Sequence, residues 1–343
     1  MDEAITAAAI QMDARLGDVA GNLARAERLV REAFRRGAQW VLLPEFFTSP
    51  VGYHFALRHV ALPPDGPATR LLCDLAREYR GVVGGSFITA EHGEAYNRFI
   101  LAGPEGVLGQ HDKDQPTMWE NAYYVGGRDD GVIDTPLGRV GAAVCWELVR
   151  TRTVRRLRGR VRVVVGGSCW WTVPDWPLAR AFVTRWGEQN REIMRWTPVR
   201  FARLVGAPVI HAAHCGQFVA GTPRLPWLAY RSHYLGEAQI VAADGTLLAR
   251  RIYEEGEGVV VARVPLAAVA LAAVAPVESL PERFWIPELP RWVQATWAYQ
   301  NAHGVRAYRR VKAAQGFNWQ QPGWERLHAS AEPGPAPMPR AAN

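Results

Sequence analysis

Apolar residues recur along this chain with two alternating periods. Ala4–Gln11 (AITAAAIQ) is a run of small and branched residues that reads as a strand. Apolar positions 23, 26, 29, 30, 33 and 34 then form one stripe on a helix over Asn22–Arg36. Asn22 is the expected N-cap of that helix and Gly37 its stop. Trp40–Leu43 reads as a short buried strand stopped by Pro44, Ala68–Tyr79 as a second amphipathic helix, and Val82–Phe87 as a further strand. Arg98–Gly103 and Gly106–Gln110 follow as a hairpin-like pair. The second half repeats this style, with strand Arg139–Cys145, helix Val149–Leu157 and strand Val161–Val165. A helix over Thr184–Val205, interrupted or restarted at Pro198, leads to strands at Pro208–His214, Ala238–Ala242, Thr246–Arg251 and Gly258–Val264. Strands alternating with helices predict an α/β fold, and the later hairpins predict a mixed sheet.

No break in composition divides residues 1–275, which are expected to form a single domain. Residues 276–328 are a Trp- and Pro-rich extension, whose aromatics need a surface on the domain or on a partner subunit. Residues 329–343, rich in Pro and Ala, are expected to be disordered.

Composition narrows the function classes. No segment approaches the roughly 18 uninterrupted apolar residues of a membrane helix, and Asp2 and Glu3 stand where a signal peptide has a basic start. Four cysteines (Cys73, Cys145, Cys169, Cys215) at no paired spacing predict a reducing, cytoplasmic setting rather than a disulfide framework. The net charge of +7 is densest at Arg150, Arg152, Arg155, Arg156, Arg158, Arg160 and Arg162. No aromatic residue interleaves that run and no nucleic-acid motif surrounds it, so it reads as a solvated helix face and a nucleic-acid partner is not expected.

Three short motifs stand at the ends of expected strands: Leu43-Pro44-Glu45-Phe46, His111-Asp112-Lys113-Asp114-Gln115-Pro116 and Val144-Cys145-Trp146-Glu147. A thiol attacks as thiolate, so Cys145 needs a base or a positive field, and a strand-to-helix turn offers orphan N–H groups. A carboxylate such as Glu45 takes the thiol proton, passes it to a departing amine and then activates water. Lys113, with the backbone N–H of Trp146, stabilises the charge of a tetrahedral intermediate. Singly, each motif is weak: a lone buried cysteine is more often inert packing, Glu45 could cap a turn, and Lys113 could be surface charge.

Taken together, Glu45, Lys113 and Cys145 in the contexts LPEFF, HDKDQP and GAAVCWE resemble the nitrilase superfamily of carbon–nitrogen hydrolases. The separations are 68 residues (113 − 45) and 32 residues (145 − 113), and Glu120 follows Lys113 by seven in KDQPTMWENAYYVGG. The resemblance runs from Ala4 to about Leu266 and includes GEAQIVAADGTLLA, similar to a late hairpin of that fold. It implies a four-layer αββα sandwich, assembled as a homodimer or larger homo-oligomer, and a covalent thioester or thioimidate intermediate. Cys145 is then the nucleophile, Glu45 the general base and acid, Lys113 the stabiliser of the intermediate, and Glu120 a second acid that orients the lysine and the substrate. LVRTRTVRRLRG after Cys145 and GGSCWWTVPDW after Val165 depart from the family pattern on the substrate-facing side.

Trp146, Tyr53, Trp170 and Trp171 are the aromatic candidates for lining a substrate pocket, with core packing as the competing role. Glu147 reads as structural. The cluster His211-Ala212-Ala213-His214-Cys215 offers metal ligands, yet in a strand His214 points away from His211 and Cys215, so no metal is expected. Ser168 lacks a nucleophile elbow, and neither a P-loop nor a dinucleotide fingerprint is present, so no cofactor is expected. The expectation is a cofactor-free hydrolase of a small-molecule amide or carbamoyl group. The alternatives are a nitrilase acting through a thioimidate, and a catalytically inactive binding protein on the same fold.

Overall fold

The structure, a computed structural model, describes residues 3–175, 180–222, 225–267 and 279–315. The first half runs β1 (Ala4–Met12), α1 (Val19–Arg35), β2 (Trp40–Leu42), α2 (Pro67–Tyr79), β3 (Val82–Glu91), β4 (Glu94–Gly103) and β5 (Gly106–Asp112). The second runs β6 (Val132–Thr135), β7 (Gly138–Ala142), α3 (Thr151–Leu157), β8 (Val163–Ser168), α4 (Arg180–Val205) and β9 (Val209–His214). There follow β10 (Gln217–Thr222), β11 (Leu225–His233), β12 (Gly236–Val241), β13 (Leu247–Ile252), β14 (Gly258–Pro265) and α5 (Arg291–Gln315).

The strands form two six-stranded halves, β5-β4-β3-β2-β1-β14 and β13-β12-β9-β8-β7-β6, joined where Gln11 and Met12 of β1 meet Ala213 and His214 of β9. Each half has a parallel centre (β1, β2, β3 and β7, β8, β9) with antiparallel edges. Side chains of β1 alternate as a strand requires: Ala8 and Ile10 pack with α1 and α2, whereas Ala7 and Ala9 join the core shared with β8, β9 and α4. That alternation produces the αββα layering, and it explains why β8, covered on both faces, reads VVVGG without polar alternation. Two glycines of β8 allow close approach, Gly166 to the neighbouring chain after β7 and Gly167 to the other half. A Cβ on Gly166 would lie 1.9 Å from Ala143 O, and one on Gly167 2.8 Å from Pro44 Cα and 3.1 Å from Glu45 N.

Several local expectations are corrected. Helix α1 is capped by Asp18, which accepts from Gly21 N at 3.0 Å. Asn22 lies inside the helix, where its amide ties Arg15 and Thr48 carbonyls together at 2.6 and 3.0 Å. Strand β7 ends at Ala142 rather than Cys145, because Cys145 takes φ +53 and opens a 3₁₀ turn over Cys145–Val149. Helix α4 passes through Pro198 unbroken, with Thr197 Oγ1 donating to Ile193 O at 2.6 Å on the face the proline disturbs. The hairpin β10–β11 has no counterpart in the sequence pattern read above.

The arginine run is not a simple solvated face. Arg150 is buried against Asp114 and Gln115, and Arg156 turns inward to Glu147 and Ala142 O. Of the extension, residues 279–315 are described. Phe284, Trp285, Leu289, Val293 and Trp297 enter the core, and Trp285 Nε1 donates to Leu148 O at 2.8 Å. Residues 329–343 lie outside the described residues.

Candidate active site

Glu45 stands just beyond β2, whose direction is fixed by Leu43 N donating to Gly84 O and by the left-handed residue Phe46 (φ +56). Lys113 follows the last residue of β5, and its amide donates to Asn97 O at 2.9 Å. Glu120 lies on a 3₁₀ turn, Met118–Ala122, where its own Oε2 accepts from Thr117 N at 2.9 Å. Two loops, the one after β2 and the β5–β6 connection, thus converge with the Cys145 turn. Cys145 and Phe46 both hold positive φ without being glycine, a backbone strain of about 1–2 kcal/mol each that the surrounding packing must sustain.

The four polar groups are sealed from solvent: Glu45 and Cys145 are 1% exposed, Lys113 and Glu120 0%. Lys113 Nζ donates to Glu45 Oε1 at 2.8 Å and to Glu120 Oε2 at 2.7 Å, leaving a third N–H donor. Burial alone would depress the lysine, but the Glu120 and Glu45 carboxylates outweigh it and hold its pKa well above the ordinary value. Burial pushes Glu120 up to about 7, with Lys113 opposing and Glu45 reinforcing the rise. Tyr124 also donates to Glu120 Oε2, while Oε1 has no partner among the described residues. Burial, then the negative charge of Glu45, push the Cys145 thiol well up against the pull of Lys113, so it rests protonated.

Around this cluster stand groups the sequence reading missed. Asn97 Nδ2 donates to Glu45 Oε1 at 2.8 Å and Cys169 N donates to Glu45 Oε2 at 2.9 Å, so both carboxylate oxygens are aimed. An asparagine inside the apolar strand YNRFIL was the available signal for the first; nothing local signals the second. His214 Nε2 donates to Glu45 O at 2.8 Å, and burial lowers its pKa to about 4, so it is a neutral prop of the loop. His211 Nε2 meets Ser168 Oγ at 2.8 Å, and no metal-binding cluster occurs among the described residues. Glu147 ties the site together: it accepts from Val144 N (2.8 Å), Asp114 N (3.0 Å) and His111 Nε2 (2.9 Å), and forms an ion pair with Arg156 at 3.2 Å. Though burial opposes it, His111 and Arg156 bring the Glu147 pKa down to about 2.

The aromatic candidates divide. Trp146, Trp170 and Trp171 line a cavity of about 270 Å³, whereas Tyr53 lines a neighbouring one of about 520 Å³. Trp119, Tyr230 and Gln300 border both.

Sheet order, layering and this buried cluster define an αββα protein with a cysteine, a lysine and two glutamates at its centre. The family model for carbon-nitrogen hydrolases matches residues 6–273, and the chain belongs to that family. Among relatives, the omega-amidase NIT2 of Bos taurus is 36% identical over 138 residues, covering 37% of this chain and 50% of that protein. A nitrilase of Pyrococcus abyssi is 29% identical over 160 residues (45% and 60%), and Nitrilase 1 of Arabidopsis thaliana 32% over 161 (40% and 46%). The chain therefore spans about half the length of these relatives. Among solved structures, Saccharomyces cerevisiae Nit3 superposes with a TM-score of 0.58 at 19% identity, over 76% of this chain and 90% of that one. An amidase from Nesterenkonia sp. gives 0.59 at 20%, over 76% and 90%. These likenesses establish the fold. No described helix is long and apolar enough to cross a membrane.

Proposed function

We propose that the chain hydrolyses a non-peptide C–N bond of a small molecule, an amide or carbamoyl group, releasing ammonia or an amine through a thioester on Cys145. The observation that carries this reading is the buried Glu45–Lys113–Glu120 ion cluster beside a cysteine held at positive φ. A thiol pushed so far up does not ionise on its own, so proton loss is coupled to attack. Glu45 takes the Sγ proton as the S–C bond forms, and the carbonyl oxygen gains charge facing Lys113 and the Trp146 N–H, which has no acceptor within its own turn. The C–N bond then breaks as Glu45 returns the proton to the leaving nitrogen. Water attacks the thioester carbon, Glu45 takes its proton, and the proton passes to the departing sulfur. Glu120 holds Lys113 in place and, with its pKa raised to about 7, presents a protonated Oε1 as a donor to substrate below that pH.

The matches to two nitrilases support a second reading on the same carbon, in which a nitrile forms a thioimidate before water adds. The family membership also supports a homo-oligomer, and four free cysteines support a cytoplasmic setting. Ammonia release from a panel of amides and nitriles tests the main reading, together with intact-mass detection of an adduct lost in Cys145→Ser. Glu45→Gln and Lys113→Ala are each expected to lower kcat at least ~10²-fold. Undiminished turnover in either variant refutes the assignment.

A further inference from the structure

We infer that the substrate carries a flat, uncharged aromatic or similarly apolar group, and that the C-terminal helix α5 builds part of the pocket that reads it. This rests on the hydrolase reading above and adds the substrate class. The 270 Å³ cavity borders the residues next in chain to three members of the site: Trp146 after Cys145, Trp119 before Glu120, and Trp170 after Cys169, whose amide aims Glu45. The larger cavity, which carries Arg306 and Arg310, borders Trp119 but neither Trp146 nor Trp170.

Five tryptophans, Trp119, Trp146, Trp170, Trp171 and Trp186, form the walls of the 270 Å³ cavity, and Trp292 of α5 closes one side. The rings are already mutually packed. Trp119 stacks on Trp171 at 4.6 Å, Trp146 lies 5.7 Å from Trp170, and Trp292 meets Trp186 edge-on at 4.8 Å. Such walls present indole carbons, against which an aromatic guest packs offset-stacked or edge to face. No described residue lining the cavity carries a formal charge, so a substrate carboxylate or ammonium buried there would be desolvated without a partner. Its amide side chain nearest the tryptophans, Asn190, is committed to Trp170 Nε1 at 3.1 Å and Trp171 O at 3.0 Å. Unpartnered polar atoms on the wall are few, Trp119 Nε1, Thr172 Oγ1 and Gln300 Oε1, enough to orient a neutral guest. A cavity of roughly 150 Å³ lined by apolar side chains holds benzene. The space here therefore suits a ring and about one further ring-sized substituent.

The test measures binding to full-length Cys145→Ala protein by calorimetry with phenylacetamide, acetamide and succinamate. Phenylacetamide is expected to bind at least tenfold tighter than either of the others. Trp292→Ala in the same background is expected to cut that preference severalfold, and Trp292→Phe to keep most of it. Equal affinities, tighter binding of succinamate, or no detectable binding of phenylacetamide overturns the inference. Ammonia release by the wild-type protein separates the two claims. Turnover of amides without aromatic preference refutes the pocket assignment alone. Selective binding with no turnover of any amide or nitrile refutes the hydrolase reading and leaves the pocket standing.

Discussion

Replacing Glu147 by glutamine keeps the shape of a side chain that joins two loops, removes its charge and sets an NH2 donor where one oxygen accepted from a backbone N–H. The carboxylate is 0% exposed and holds Asp114 N, next to Lys113, and Val144 N, next to Cys145. His111 and Arg156 supply its counter-charge. Lowering the pKa from 4.5 to about 2 corresponds, at about 1.4 kcal/mol per unit, to roughly 3 kcal/mol of native-state stabilisation. The general cost of removing one partner from a buried ion pair, about 3–5 kcal/mol, agrees. Glu147 has a depressed folded pKa, so its contribution is present above 4.5 and is lost as pH falls towards about 2. His111 has a raised folded pKa, so its share is complete below 6.5 and fades as pH rises through the raised value. The stability gap between wild type and Glu147→Gln is therefore widest near pH 5–6 and narrows on either side. Urea unfolding across that range reads it directly. A gap below about 1 kcal/mol at its widest, or one that grows steadily in acid, refutes the reasoning. Because the linkage sets the spacing of Lys113 and Cys145, kcat is also expected to fall, by about 10–100-fold.

Gly167→Ala places a methyl 2.8 Å from Pro44 Cα and 2.9 Å from Ala212 O. With backbone rather than side-chain ends in the way, a loss of about 1–3 kcal/mol in chemical unfolding is expected; an unchanged midpoint shows the halves are not in close contact there. Cys145→Gly is expected to be more stable than Cys145→Ala by about 1 kcal/mol, since only glycine relieves the positive φ. Equal unfolding midpoints for the two contradict a strained turn. Glu120 has a folded pKa raised from 4.5 to about 7, so its contribution is complete below 4.5 and is lost as pH rises through 7. Glu120→Gln, which does not titrate, is accordingly expected to gain on wild type between pH 5 and pH 8.5; parallel pH profiles contradict this.

Glu45, Lys113, Glu120 and Cys145 were legible because each lies in a short motif that a strand end displays, and motif and order survive without knowledge of the fold. The groups that aim them were not. Asn97, the Cys169 amide and His214 reach Glu45 across 52, 124 and 169 residues; the first bond needs β4 laid alongside β3 and β2, and the other two need the halves to dock. Asn22 shows the converse error: its side chain has the chemistry of a helix cap, but long-range carbonyls claim it and Asp18 takes the local role. The arginine run misled because composition reports charge and not partners, and buried carboxylates recruit Arg150 and Arg156 from an otherwise wet face. The α/β class and most strands came from periodicity. The hairpin β10–β11 did not, because prolines and exposed apolar residues blur its alternation.

The pairing of β1 with β14 joins the two ends of the folded unit, with Ala4 opposite Pro265 and Gln11 opposite Gly258. During synthesis, every member of the reacting cluster therefore leaves the ribosome before the strand that flanks β1 exists. A chain halted after β9 would hold Glu45, Lys113, Glu120 and Cys145 yet lack β14 beside β1, along with Trp285, which anchors the turn that bears the thiol. The surroundings of the cluster are thus complete only once β14 and Trp285 have been made.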